Sequence, residues 1–322
     1  MAAVETLSQR ERACLLWHTP PVTGGRPLRL LLLAVLAAAV VVPATTASVS
    51  ARHRSPYAGL GTWLDIYATP SWTHPRQEVA AMARDGVRTL YLQTGNYEQH
   101  VDLVRRHALG QFVDAAHAHG MRVVAWYLPS FLSPAQETRR ALAAIRFRSA
   151  EGERFDSFAL DIEASLVRSV PLRTERLLQL SARLRAAVGD RYRLGAIIPS
   201  PVGIRRHPKY WPRFPYRQLS RIYDVFLPMA YSTDRHIHGI GATRAYNTAD
   251  IAIIRARTGK PHVPIHLIGG IANRMGPRET GGFMRAVADC APLGYSLYDF
   301  PLTSRASWRA LANPPAGGES CT

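Results

Sequence analysis

From Tyr57 onward the chain alternates short β-branched or aromatic runs with amphipathic segments that finish in glycine, the mark of repeated βα units. Eight such runs can be counted: Thr62–Tyr67, Arg88–Gln93, Arg122–Leu128, Ser157–Glu163, Arg193–Pro199, Asp224–Tyr231, Val263–Gly269 and Gly294–Asp299. Eight in series, each about one βα unit from the next, point to a sheet closed on itself. The expected fold is therefore a single α/β domain, a (β/α)8 or TIM barrel, over residues 51–312. Such a barrel takes roughly 250 residues. The rest of the chain divides into an N-terminal segment, 1–50, and a loose tail, 313–322.

Punctuation between the runs agrees. Ser133-Pro134-Ala135-Gln136 reads as a capping box with proline in the first turn, and Gly86, Gly120 and Gly259 stand where helix C-terminal caps belong. In 171–189, Leu177, Leu180 and Leu184 recur at helical spacing among arginines, as on a barrel-surface helix. The stretch Pro201 to Pro215, rich in Pro, Arg, Tyr and Trp, follows a strand end, where barrel enzymes build their active-site rim. It is either a substrate lid or a surface loop packed by Tyr210 and Trp211.

The sharpest chemical signal lies in the fourth run. Alternation puts Ser157, Ala159, Asp161 and Glu163 on one strand face and Phe158, Leu160 and Ile162 on the other. The apolar face meets the helices, so the acids point into the barrel mouth. Two carboxylates on one face repel, which raises the pKa of one, as a general acid working near neutral pH requires. Glu163, nearer the strand end, is the expected proton donor, with Asp161 hydrogen-bonded to it. The bland alternative is that both acids pair with arginines or cap the next helix.

The stretch resembles the strand-four signature of chitinase-type, family 18, glycoside hydrolases, Asp-Gly-x-Asp-x-Asp-x-Glu, with Asp156, Asp161 and Glu163 matching, Ser157 in place of the glycine and Ala159 in place of the middle aspartate. The sixth run, with Met229 and Tyr231, is similar to that family's Met-x-Tyr-Asp segment, its aspartate being Ser232 here, and Tyr298 stands where the family has a tryptophan. Residues 158–163 are also similar to the Leu-Asp-Val-Glu strand of family 25 lysozymes. The chitinase-type resemblance implies substrate-assisted hydrolysis. The sugar's own acetamido group attacks the anomeric carbon, Asp161 and Tyr231 position it, and Glu163 protonates the leaving oxygen. A two-carboxylate mechanism would instead draw on Asp65 or Asp299.

Trp63, Tyr91, Trp126, Tyr231 and Tyr298 fall at or near strand ends, where aromatic faces stack on pyranose rings and Gln93 binds hydroxyls; with Asp65, Met229 and Asp299 they form the expected substrate-binding set. Each could equally be core. No metal or cofactor is expected. Asp234, His236 and His238 read as a solvated loop, Gly239-Ile-Gly241 does not complete a nucleotide fingerprint, and there is no nucleophile elbow.

The run 28–42, apolar except for Arg29, reads as an export signal cut among the small residues 44–51, or as an uncleaved membrane anchor. Its long preceding segment leaves open a downstream start or a cytoplasmic tail. The expected location is exported, secreted or anchored to the outer face of the cytoplasmic membrane. Cys14 precedes the run, whereas Cys290 and Cys321 would reach an oxidising compartment, as a tail-stapling bridge or as two free thiols. The formal charge of +17 is almost wholly arginine, only Lys209 and Lys260 being lysines. It suits anionic envelope polymers beside a polysaccharide substrate, or simply reflects arginine-rich solvated faces. No aromatic-interleaved basic run of the kind nucleic acid needs is present.

Overall fold

The computed structural model describes residues 55–317 and residue 321. The segment 1–50, with the apolar run 28–42 and Cys14, lies outside the described residues. Eight parallel strands close in sequence order: β1 (Gly59–Leu64), β2 (Thr89–Asn96), β3 (Arg122–Leu128), β4 (Ser157–Asp161), β5 (Leu194–Pro199), β6 (Val225–Met229), β7 (His266–Ile271) and β8 (Gly294–Tyr298). Between and after them run α1 (Pro75–Arg84), α2 (Arg106–Ala118), α3 (Pro134–Ile145), α4 (Val170–Val188), α5 (Pro201–Arg206), α6 (Tyr216–Leu219), α7 (Ile240–Thr258), α8 (Pro277–Cys290) and α9 (Arg305–Ala312). The (β/α)8 barrel is thus present. β1 begins three residues before the expected Thr62 because Gly59 and Leu60, weak strand formers by themselves, supply the closing register to Gly294 and Tyr295 of β8.

The period-two alternation decides which side chains fill the barrel and which meet the helices. Phe158, Leu160 and Ile162 pack in the jacket under the helices, while Ala159 joins Tyr57, Trp63, Tyr91 and Trp126 inside. Large inner rings need small neighbours. A Cβ added at Gly195 would lie 2.7 Å from the Tyr57 hydroxyl, and one at Gly61 2.7 Å from the Tyr91 ring. Tyr57 plugs the N-terminal end, donating to the Phe158 carbonyl at 2.9 Å.

Gly86, Gly120 and Gly259 all have positive φ at helix ends, as expected. The capping box does not form. Ser133 occupies the N-cap of α3 without a side-chain bond, and the acid used is Glu137, which accepts from the Ser130 N–H at 3.0 Å and from the Ser130 and Tyr127 hydroxyls. Leu177, Leu180 and Leu184 are buried as their spacing requires, but Arg173 on the same helix is buried too, its guanidinium 4.1 Å from the Trp211 ring. Cys290, the last residue of α8, is bonded to Cys321, so the tail is tied back although 313–317 are exposed. No helix among the described residues is long and apolar enough to cross a membrane.

Candidate active site

Asp161 ends β4, and the Ile162 N–H, donating to the Ile197 carbonyl at 2.8 Å, carries the strand direction one residue further. Glu163 therefore emerges at the C-terminal rim, the end at which barrels of this type do their chemistry. Two lobes of one cleft meet there. An inner lobe of about 240 Å3 has Trp63, Trp126, Asp161 and Tyr298 in its walls, and an outer lobe of about 430 Å3 is bounded by α5, the 207–210 loop and Tyr246. Glu163, Met229 and Tyr231 line both.

Burial shapes the acids. It pushes the Asp161 carboxyl well above the usual carboxylate range, with the charge of Glu163 adding to the effect, and it raises Glu163 as well. Mutual repulsion, the cause the strand pattern suggests, is thus the smaller contribution. The expected hydrogen bond between the two is not formed: Asp161 Oδ1 is buried without a hydrogen-bond partner. One layer down, buried Ala159 offers Asp161 no polar group either. Ser232, buried with its hydroxyl likewise unpartnered, follows Tyr231. Burial and the nearby carboxylates Glu163 and Asp161 hold the Tyr231 phenol well above its ordinary value, so it stays protonated and available as a donor.

Trp126, Met229 and Gln93 also line the cleft. Gln93 has its Oε1 taken by the Ile66 N–H at 2.9 Å. Trp63 is fixed by its indole N–H, which donates to Ser296 Oγ at 2.8 Å. Tyr91 is a correction. It is fully buried beneath the cleft floor, stacked on Trp63 at 4.2 Å, with its hydroxyl 2.9 Å from His266 Nδ1. His266, neutral because burial lowers its pKa to about 4, completes that layer.

The two acids expected as alternatives across the cleft lie outside its walls. Asp65 Oδ1 accepts from the N–H groups of Tyr67 and Ala68, and its Oδ2 accepts from the Tyr298 hydroxyl at 2.6 Å. Asp299 is 4 % exposed, outside the walls of both lobes, with a pKa raised to about 7 by burial and by Asp65. Asp65 therefore braces Tyr298 from behind, and Asp299 lies buried with its Oδ1 unpartnered; neither lines the cleft.

The segment after β5 combines both of its expected forms. Trp211 is buried and its indole donates to Thr174 at 2.9 Å, while the Tyr210 hydroxyl donates to the Glu163 carbonyl and its ring walls the outer lobe. Several lining residues carry no signal in the pattern: Tyr67 and Asn96, joined at 2.7 Å on the inner rim, and Tyr246 and Arg235 on the outer side. Gly203, Ile204, His207 and Tyr210 of the outer lobe lay in a stretch already marked by its composition. Among the described residues no three metal-ligating side chains gather, and Asp234 is paired with Arg274 at 3.0 Å.

No protein-family model matches the chain, and no curated protein matches it. Solved structures do. The endo-β-1,4-mannanase of Thermotoga petrophila matches with a TM-score of 0.58 at 11 % identity over 76 % of this chain and 68 % of its own. The spore cortex-lytic enzyme SleL of Bacillus cereus matches with a TM-score of 0.56 at 9 % identity, covering 82 % and 75 %. A chitinase of Chromobacterium violaceum matches with 0.52 at 13 % identity, covering 79 % and 98 %. At such identities the likeness establishes the barrel fold.

Proposed function

We propose that this protein is an exported carbohydrate-active hydrolase that cleaves O-glycosidic bonds of an envelope or environmental polysaccharide, with Glu163 as general acid/base and Asp161 and Tyr231 holding the reacting sugar. The observation that carries the reading is the place of Glu163: a carboxyl with raised pKa at the junction of two lobes, where a glycosidic oxygen joining two bound sugars would lie. That the chitinase, the mannanase and the cortex-lytic enzyme share this barrel supports the class by analogy.

The hydrogen bonds of Asp65 and the place of Asp299 outside the cleft walls favour the substrate-assisted route. The acetamido oxygen of the inner-lobe sugar attacks its anomeric carbon, the bond to the leaving oxygen breaks, and Glu163 gives that oxygen its proton. Water then opens the cyclic intermediate, with Glu163 taking the proton back. The raised pKa of Asp161 suits a group that hydrogen-bonds the acetamide N–H in one protonation state and shares a proton with Glu163 in the other. Export is supported by the apolar run 28–42 and by the Cys290–Cys321 bridge, since disulfides persist in oxidising compartments. The arginine excess fits anionic envelope polymers as partners, and the same apolar run would serve as an anchor if uncut.

A second reading, a barrel that binds glycans without cleaving them, is favoured by Ala159 and Ser232, which leave Asp161 without support from below or beside. One experiment separates the two. The protein and its Glu163→Gln variant are incubated with N-acetylated and unacetylated polysaccharides, and new reducing ends are measured. Release from N-acetylated chains by the parent alone supports the enzyme; retained binding with no release by either supports the binding barrel.

A further inference from the structure

The lobes on either side of Glu163 differ in chemistry. The inner one is aromatic, with Trp63, Trp126 and Tyr298 around the Asp161 carboxyl. If Glu163 protonates the glycosidic oxygen and Asp161 and Tyr231 hold the sugar that reacts, the leaving half of the substrate must extend into the outer lobe. This orientation rests on the hydrolase reading; the charge of the outer lobe does not.

One arginine, Arg235, lines that lobe, with Glu163 and Asp234 in the same wall. Arg235 closes the short 3-10 turn Ser232–Arg235, and its guanidinium lies over α5, where a Cβ added to Gly203 would stand 3.0 Å from Nη2. Arg206 lies over the Tyr246 ring at 5.8 Å, and His207 lines the wall beside it. Among the described residues Arg235 makes no ion pair. Its neighbouring acids are Asp234 and Asp250, of which Asp250 feels its charge without pairing with it. Asp234 pairs with Arg274, and Asp250, buried behind the wall, accepts from the Val202 N–H at 2.7 Å and the Ser200 hydroxyl at 3.0 Å. A planar guanidinium with donors beyond the one turned to the Tyr246 hydroxyl, at the edge of a sugar-sized cavity, is built for a carboxylate.

We propose that the outer lobe is a subsite for an acidic sugar on the leaving-group side, its carboxylate held by Arg235. The cleft then distinguishes two halves of its substrate: a neutral, N-acetylated unit against the aromatic wall and a carboxylated unit against Arg235. Such discrimination belongs to the site itself and is separate from the general attraction of a basic protein for polyanions, which weakens with salt wherever the charges lie.

The test uses the full chain carrying Glu163→Gln and two probes: an oligosaccharide alternating N-acetylglucosamine with glucuronic acid, and the same oligosaccharide with its carboxyls reduced to alcohols. Calorimetric titration in 0.15 M salt is expected to show about tenfold tighter binding of the acidic probe, the scale of one charge-assisted bidentate contact. Adding Arg235→Gln should abolish most of that preference. Adding Arg148→Gln, which removes the same charge from an exposed position outside the cleft, should leave it intact. No preference between the probes, whether both bind or neither does, overturns the subsite, as does a preference that survives Arg235→Gln. Turnover by the wild-type protein, read in parallel, keeps the two ideas apart. Hydrolysis without acidic preference sinks the subsite alone, and preference without hydrolysis of any substrate sinks the enzyme reading while the subsite stands.

Discussion

Strand β4 carries an acid at each end, and the two live in opposite circumstances. Asp156, at the N-terminal end, is surrounded by donors: the Val123 N–H at 2.8 Å, Arg122 Nη1 at 2.9 Å and His117 Nε2 at 2.9 Å. Burial alone would raise its pKa, but the bonds from His117 and the Val123 N–H, with the charges of His117 and Arg122, bring it below the ordinary value. Asp161, at the other end, is more deeply buried with one oxygen unpartnered, and its pKa goes up. The same side chain in one strand is a structural anion where donors meet it and a proton-holding group where they do not. Partners, more than residue type or burial, decide the role.

The largest effect should come from Glu163→Gln, which keeps size and removes the proton: a fall in kcat of at least ~1,000-fold, measured by reducing-end release, with an unchanged melting curve. Asp156→Asn should do the reverse, costing about 2 kcal/mol of stability in urea unfolding by weakening the half-buried bonds to Arg122, His117 and the Val123 N–H while the folded fraction keeps its kcat. The sign with pH follows. Asp156 has a depressed folded pKa, so its contribution is present above the unfolded value of about 3.9 and lost as pH falls through the folded one. His117, raised chiefly by its bond to Asp156, contributes below about 6.5 and loses it as pH rises through its own folded pKa.

Asp161→Asn separates function from stability in a third way. Activity should drop about 100-fold, yet the variant should be more stable at neutral pH by on the order of 1 kcal/mol. A carboxyl with raised folded pKa favours the folded state below the unfolded value and loses that contribution as pH rises. The gain should therefore disappear in acid, as pH-dependent urea midpoints would show. The smallest effect is expected beneath the floor: Tyr91→Phe removes the contact with His266 at a cost of about 1 kcal/mol, with KM unchanged because no substrate reaches that ring.

Strand β4 was readable because alternation reports which face a residue takes. Face is all it reports. Trp63 and Tyr91 face inward on paired positions of β1 and β2, but which is floor and which lies beneath depends on stagger around the barrel, a property of closure. Asp65 and Asp299 likewise stand at strand ends, and only the fold shows Asp65 turned toward Tyr298 and both outside the cleft walls. The outer lobe was the least legible part. Tyr246 comes from a long helix and Arg235 from a 3-10 turn, and no local pattern unites residues that only the β5 and β6 loops bring together. The capping box of Ser133 and Gln136 did not form, and the side chain that ties the start of that helix down is instead Glu137, held by Tyr127 and Ser130.

The central claim is that the carboxyls at one end of β4 bind their proton above the ordinary range and the acid at the other end binds it below. Carbon-detected NMR titration of the side-chain carboxyls, assigned with Asp156→Asn, Asp161→Asn and Glu163→Gln, reads this directly. The account predicts that Asp156 titrates below the usual aspartate value of about 3.9 while the Asp161 and Glu163 pair takes up its proton well above it. If the pair instead ionises together in the ordinary carboxylate range, Glu163 has no proton to give at working pH and the proposed mechanism is contradicted.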